Sequence, residues 1–198
     1  MFARVWGVVA GCVIVSGCVP HLTSKDNGEP TGTWSPPENS WTVGEPPSDL
    51  EGEGFAEGEY VPDFLLQDQN GDDVSLWQFY GLAIVLDIST MWCSPCQDLA
   101  EEAEATYQDY KDLGMVYITV LPEDAEGADP TVEDLQAWVD AFHLTSPVVG
   151  DPGKEFSGEA VPDDSYPMLL VIDQEMRVYE DVVPPSDAGI RDALDELL

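Results

Sequence analysis

Basic residues are scarce in this sequence, and their scarcity excludes one large class of function. The 198 residues contain six lysines and arginines against 40 aspartates and glutamates, for a formal charge of −34 at pH 7. Proteins that bind nucleic acid neutralise its phosphates with clustered lysine and arginine side chains. The few basic residues here form no such cluster along the chain, so we predict that the protein does not bind nucleic acid.

Potential ligands for a metal ion are also few. The chain has four cysteines and two histidines, and beyond residue 58 only Cys93, Cys96 and His143 remain. A structural zinc site takes four ligands, mostly cysteine and histidine. His143 falls at a predicted helix end, where an imidazole commonly contacts the last carbonyl groups. We therefore predict no metal site and no other cofactor.

No long apolar run is present near the N-terminus. Arg4 precedes an apolar stretch at 5–15, which is shorter than the roughly 20 residues of a membrane-spanning helix. Such a pattern is typical of a cleaved leader. Residues 15–18, VSGC, resemble the lipobox of bacterial lipoproteins, which implies a signal peptide over 1–17 and a lipid anchor at Cys18. An ordinary cleaved signal peptide is the alternative.

The stretch that follows the leader is predicted to be a tether. Residues 18–58 are rich in proline, glycine, serine, threonine and glutamate, with isolated tryptophans at Trp34 and Trp41. A segment of this composition buries too little apolar surface to offset the entropy lost on ordering. We expect a lipidated, flexible, acidic tether over 18–58 and a folded domain over 59–198.

The folded domain is predicted to be of the α/β class. Strands and helices alternate in its centre, while a hairpin opens it at Asn70-Gly71 and an antiparallel pair closes it. This order fits an α/β sandwich with a mixed sheet. The predicted strands are 61–66, 73–75, 83–86, 115–121, 147–150, 168–172 and 177–183. The predicted helices begin after Ser75, Cys93, Thr131 and Ser186.

A pair of cysteines marks the end of the central strand. The apolar run at 83–86 predicts a strand buried on both faces, and residues 91–96, MWCSPC, lead from it into a helix. Unpaired N–H groups and the dipole at the helix start favour a thiolate at Cys93. Cys96 lies one turn further on, where it can close a disulfide and release a bound partner. A purely structural bridge is the alternative, but so small a loop gains little from closure.

Two stretches resemble one known family. Residues 92–96, WCSPC, carry the WCxPC motif of the thioredoxin superfamily. Residues 61–64, VPDF, followed by Gly71 and Gly81, resemble the opening of its extracytoplasmic TlpA/ResA-like branch. The resemblance covers about 60–198. It implies a thioredoxin-like three-layer α/β/α sandwich with a central mixed sheet and an N-terminal β-hairpin extension.

The resemblance also implies a function. Members of this branch are membrane-tethered thiol-disulfide oxidoreductases outside the cytoplasm. By resemblance, Cys93 attacks and Cys96 resolves a disulfide of an exported protein such as an apocytochrome, and a membrane dithiol donor returns the electrons. We expect a reductase, a monomer and a location on the periplasmic side of the cell envelope, with the choice of membrane open.

Further site residues follow from the same resemblance. Asp87 falls where thioredoxins keep a buried acid, and burial raises a carboxyl pKa, so that it could accept the Cys96 proton. An outward-facing surface acid is the alternative. Pro167 falls where the fold keeps a cis-proline, presenting Tyr166 to an extended substrate segment. Tyr166 departs from the small or β-branched residue that is usual before this proline.

Three neighbours of the cysteines are predicted to shape their chemistry. Trp92 is expected to shield one side of the dithiol, with an ordinary core tryptophan as the alternative. Ser94 and Pro95 separate the cysteines, and we expect them to tune the reduction potential.

Two other functions remain open from the sequence. A peroxiredoxin is compatible with the T-x-x-C spacing of Thr90 and Cys93, but Leu86 stands where the peroxidatic proline belongs. Its arginine would have to be Arg177 or Arg191. A non-catalytic binding module that retains the disulfide is the other alternative.

The acidic composition generates a prediction about salt. The acids are spread over tether, helices and loops, which is typical of a solvated surface adapted to a saline medium. Because salt screens repulsion among them, we expect the thermal midpoint of unfolding to rise between low and molar salt. An unchanged midpoint would contradict this interpretation.

Overall fold

A computed structural model describes residues 34–198 of the chain. The predicted signal peptide at 1–17 and the predicted lipidation site Cys18 lie outside the described residues. Within 34–198, no helix combines the length and apolar character that crossing a membrane requires.

A seven-stranded mixed sheet forms the centre of the domain. The strands are β1 (Leu65–Asp68), β2 (Asp73–Ser75), β3 (Ala83–Ile88), β4 (Met115–Leu121), β5 (Val148–Gly150), β6 (Met168–Ile172) and β7 (Val178–Asp181). They follow the order β2-β1-β5-β4-β3-β6-β7, in which β3, β4 and β5 are parallel and the other neighbours antiparallel. The predicted mixed sheet and the leading hairpin are therefore confirmed.

Four α-helices and two 3-10 turns complete the described elements. The N-cap side chains of the second and fourth helices, Thr131 and Ser186, each accept a hydrogen bond from a first-turn backbone N–H, as the sequence predicts. The helices are α1 (Ser94–Tyr110), α2 (Val132–Phe142), α3 (Ser157–Ala160) and α4 (Asp187–Leu197), and the 3-10 turns are Leu76–Phe79 and Lys111–Leu113. The single turn α3 lies where the sequence predicts only a loop.

Both faces of the sheet are buried, but by different kinds of structure. Every residue of β3 is buried, with Val85 on the face packed by α1, α2 and α4 and Leu86 on the opposite face. The opposite face is covered by the first 3-10 turn, by residues around α3 and by the chain that precedes β1. The outer layer there consists mainly of irregular chain. The fold is of the α/β class, as predicted.

The first predicted strand begins later than expected. Val61 and Phe64 are buried in the core, which explains the strand-like pattern of 61–66. However, the backbone N–H of Val61 bonds to Met176 beside β7, and pairing with β2 starts only at Leu65. The chain therefore crosses one face of the sheet before it enters the hairpin.

The described residues 34–58 contact the folded domain, whereas their composition favours a flexible tether. These residues belong to the same compact unit as the rest of the domain. Trp41 packs against the core, and its indole Nε1 donates to Asp68 Oδ2 at 2.7 Å. Trp34 donates to Ser75 Oγ at 3.3 Å, and the N–H of Gly44 bonds to Gln78 O at 2.6 Å. The composition of this segment predicts that the entropy lost on ordering would keep it unfolded. Specific long-range contacts offset that loss.

Replacement of Trp41 by alanine tests this docking. The variant loses partly buried aromatic surface and leaves buried Asp68 without one of its donors, so we expect unfolding to require about 2 kcal/mol less free energy. Chemical denaturation measures the change. The control is Val43→Ala in the same segment, because Val43 is 46% exposed and its truncation should alter stability little. Equal, negligible effects of both substitutions would contradict the docking.

Candidate active site

The two cysteines lie at the junction between β3 and α1. Cys93 is the N-cap of α1, and its sulfur accepts a hydrogen bond from the N–H of Cys96 at 3.3 Å. Pro95 is tolerated in the first turn because that position needs no N–H donor. The two cysteines are joined by a disulfide, with their Cα atoms 5.2 Å apart.

The two cysteines differ in solvent exposure, as their predicted roles require. Cys93 is 6% exposed, whereas Cys96 is fully buried. The intervening Ser94 and Pro95 are exposed to solvent. An incoming partner can therefore approach from the side of Cys93, and Cys96 is sheltered beneath the first turn of the helix.

Asp87 is a fully buried acid on the face of the sheet that carries α1. It lies two residues after Val85 and therefore on the same face of the strand, and Val85 belongs to the core cluster packed by α1. Since Asp87 is also fully buried, the alternative of an outward-facing surface acid is wrong. Burial raises the pKa of Asp87 from 3.8 to about 7. Hydrogen bonds from Ser89 Oγ at 2.5 Å and Tyr117 Oη at 3.4 Å oppose this rise. Near neutrality the carboxyl can therefore hold or accept a proton.

Strand pairing places Pro167 near the cysteines. Ile88 at the end of β3 pairs with Met168, the residue after Pro167, and the Tyr166–Pro167 peptide bond is cis, as the resemblance implies. The carbonyl oxygen of Tyr166 lies 3.7 Å from the sulfur of Cys93. A disulfide sulfur carries no proton, so this is a contact in the oxidised state. A Cys93 thiol could donate to the same oxygen.

Trp92 is an exposed neighbour of the disulfide. Its side chain is 48% exposed, which excludes the alternative of a core tryptophan. Its ring meets that of Tyr166 edge to face, with the centroids 6.4 Å apart, and its Nε1 donates to Glu123 Oε2 at 2.6 Å. The two aromatic residues predicted for substrate binding are thus brought together beside Cys93.

Sequence patterns alone did not indicate two charged residues at this site, Lys154 and Glu123. Lys154 Nζ lies 2.8 Å from both Glu123 Oε1 and Asp164 Oδ1, and 5.9 Å from the centroid of the Tyr166 ring. The only sequence signal was that a lysine is rare in so acidic a chain. Among the described residues, no group of three or more His, Cys, Asp or Glu side chains is placed to hold a metal ion.

The buried acid generates a prediction about stability and pH. Because its pKa is about 7 in the folded protein against 3.8 ordinarily, the folded state binds more protons than the unfolded state between these values. Stability should therefore fall as pH rises through this window, by up to about 4 kcal/mol. In Asp87→Asn this loss should be absent, so the variant should exceed the wild type in stability above pH 7.

Denaturation of both proteins across this pH range measures the difference. Asp140→Asn, which removes an exposed carboxylate on α2, is the control and should retain the wild-type pH dependence. Parallel stability curves for the wild type and Asp87→Asn would show that Asp87 does not titrate abnormally.

A family profile and several known proteins match most of this domain. A sequence profile of the AhpC/TSA family matches residues 58–180. The thioredoxin-like protein YneN of Bacillus subtilis (strain 168) is 27% identical over 129 residues, which cover 65% of this chain and 72% of that protein. The thiol-disulfide oxidoreductase ResA of Bacillus thuringiensis (strain Al Hakam) is 26% identical over 126 residues, which cover 64% of this chain and 69% of that protein.

A solved structure shows the same fold. The thioredoxin domain of a thiol-disulfide oxidoreductase from Bacteroides vulgatus superposes with a TM-score of 0.60 at 19% identity, over 71% of this chain and 96% of that one. The predicted resemblance to the TlpA/ResA-like branch agrees with these relatives. Since the family profile spans more than half of the sequence, the chain belongs to the AhpC/TSA family, with a thioredoxin-like fold.

Proposed function

We propose that the protein is a thiol-disulfide oxidoreductase of the ResA/TlpA type that reduces disulfides of exported proteins. The observation that carries the proposal is a helix N-cap cysteine joined by a disulfide to a fully buried cysteine, with a buried acid on the same side of the sheet. The names of the two bacterial relatives support this reading.

The first step is attack by Cys93. In the reduced protein, the thiolate of Cys93 is stabilised by the N–H groups and dipole of the first turn of α1. It attacks one sulfur of the partner's disulfide, so that the partner's S–S bond breaks while a Cys93–partner disulfide forms. The partner's departing sulfur leaves as a thiolate and takes a proton from solvent.

The second step is resolution by Cys96. Its buried thiol must lose a proton before it can attack, and Asp87, with a pKa of about 7, is a suitable acceptor. The Cys96 thiolate displaces the partner's sulfur from Cys93, which forms the intramolecular disulfide seen in the structure. The partner leaves with two thiols and has gained two electrons.

The cycle requires a donor and a place in the cell. A membrane dithiol that reduces the Cys93–Cys96 disulfide would return the two electrons. The lipobox-like sequence at 15–18 supports a lipid anchor at Cys18 and a location on the periplasmic side of the cell envelope. We propose that the protein acts there as a monomer.

A peroxiredoxin reaction fits the geometry less well. A peroxidatic thiolate needs an arginine beside it, and the two arginines within 34–198 are bound elsewhere. Arg177 stacks on the ring of Tyr60 at 3.8 Å, and Arg191 pairs with Asp109 and Asp187 at 2.8 Å. Leu86 is fully buried in β3, where the peroxidatic proline would lie.

Reduction of insulin by the purified protein with dithiothreitol tests the proposal. We expect the wild type to accelerate reduction and Cys93→Ser to lose at least about 100-fold, because the attacking thiolate is gone. Cys96→Ser should instead accumulate a mixed disulfide with its partner, which non-reducing electrophoresis and mass spectrometry detect. A wild type no faster than Cys93→Ser would leave a non-catalytic binding module, and peroxide consumption that depends on Cys93 would indicate a peroxidase.

A further inference from the structure

Five side chains form a closed ring of contacts beside the disulfide, and we call this ring the Lys154 clamp. Its members come from four separate stretches of chain: the turn between β3 and α1, the loop after β4, the loop between β5 and α3, and the loop between α3 and β6. They are Trp92, Glu123, Lys154, Asp164 and Tyr166.

Lys154 holds the two carboxylates of the clamp. Its Nζ is 2.8 Å from Glu123 Oε1 and 2.8 Å from Asp164 Oδ1. The side chains of Lys154 and Glu123 are only 29% and 18% exposed, so solvent screens this ion pair less than a fully exposed one. Asp164 is more exposed, and its pair with Lys154 is correspondingly weaker.

Each carboxylate in turn holds one aromatic residue. Glu123 accepts from Trp92 Nε1 at 2.6 Å through the oxygen that does not face Lys154, and Asp164 accepts from Tyr166 Oη at 3.1 Å. Burial, followed by this hydrogen bond, raises the pKa of Tyr166 to about 12, so the phenol stays a donor. The edge-to-face contact between the two rings closes the circuit.

The backbone conformations of Lys154 and Asp164 are further evidence that side-chain contacts hold the clamp together. Lys154 and Asp164 both adopt the left-handed conformation, with φ of 55° and 54°. Non-glycine residues adopt this conformation at a cost that local contacts must offset. Both residues are held by the ion pair that joins them and by their contacts with Tyr166.

We propose that Lys154 is a positioning residue of this site, which fixes the Trp92 and Tyr166 rings as a docking surface next to Cys93 and neutralises the two acids there. The inference rests on the proposed function and adds the group that shapes its substrate-binding surface. Lys154 acts through its neighbours and does not touch the reacting sulfur.

If Lys154 neutralises the two carboxylates, two substitutions should shift the pKa of the Cys93 thiol in opposite directions. Lys154→Met leaves Glu123 and Asp164 without their cation, and these carboxylates bind the two aromatic neighbours of Cys93. Added negative charge around a thiol raises its pKa. Glu123→Gln removes one negative charge while the amide oxygen can still accept from Trp92 Nε1, so the thiol pKa should fall. A residue with a merely structural role would not move the pKa in opposite directions.

If Lys154 fixes the two rings as a docking surface, its loss should weaken substrate binding and raise KM. Without the clamp the two rings are no longer fixed, so we expect KM for insulin to rise about three- to tenfold in Lys154→Met, the equivalent of about one partly buried ion pair. The maximal rate, measured above the thiol pKa, should change less. Lys154→Arg keeps the charge and both carboxylate partners and should recover most of the wild-type KM.

Lys111→Met is the matched control. Lys111 also lies over a tyrosine ring, Tyr107 at 5.8 Å, but has no carboxylate within ion-pair distance among the described residues. Its loss removes the same charge at the far end of α1 and should leave both KM and the Cys93 pKa at wild-type values. The experiment compares the wild type with these four variants by insulin reduction and by the ultraviolet absorbance of the Cys93 thiolate against pH.

The outcomes separate the clamp from the proposed function. Opposite pKa shifts in Lys154→Met and Glu123→Gln, with a raised KM in the former, support the clamp. An active wild type, with Lys154→Met matching Lys111→Met in both quantities, overturns the clamp alone. If the wild type reduces no protein disulfide, the proposed function fails, and the absorbance titration still decides the charge role: pKa values that coincide or shift together overturn it.

Discussion

The pairing of β3 with β6 is the constraint on which the site depends. Ile88 opposite Met168 brings Pro167 and Tyr166 to the point where β3 leads into the cysteines. The same pairing keeps Asp87 on the face that carries α1. A slip of one residue would turn Asp87 to the opposite face, because side chains alternate along a strand. The register of one antiparallel pair thus sets both the acid and the docking surface.

The site contains local features that a structure selected for stability alone would avoid. A carboxyl group stands in a strand where every neighbour is buried, and its pKa of about 7 reflects the cost of charging it there. Exposed Trp92 lies beside the disulfide rather than in the core. Departures of this kind from the best packing are typical of functional sites. The surrounding strands supply the rigidity that holds them.

The sequence was most informative where periodicity was strong and least where contacts join distant residues. The strands Met115–Leu121 and Met168–Ile172 are predicted at their observed bounds because short, mainly apolar runs indicate buried strands. The cysteines and Asp87 were found from local patterns supported by resemblance. By contrast, the contact of Trp41 with Asp68 and the ion pairs of Lys154 arise only once the chain is folded. Composition alone could not reveal them.

The packing of residues 34–58 on the domain also changes how far the domain could reach from a membrane. A tether that ended at residue 58 would allow an extended span of about 140 Å from Cys18. Because the described chain already contacts the domain at Trp34, the span left between Cys18 and that contact is at most about 55 Å. If Cys18 carries lipid, the disulfide therefore reaches partners over a shorter distance from the bilayer than a tether ending at residue 58 would allow.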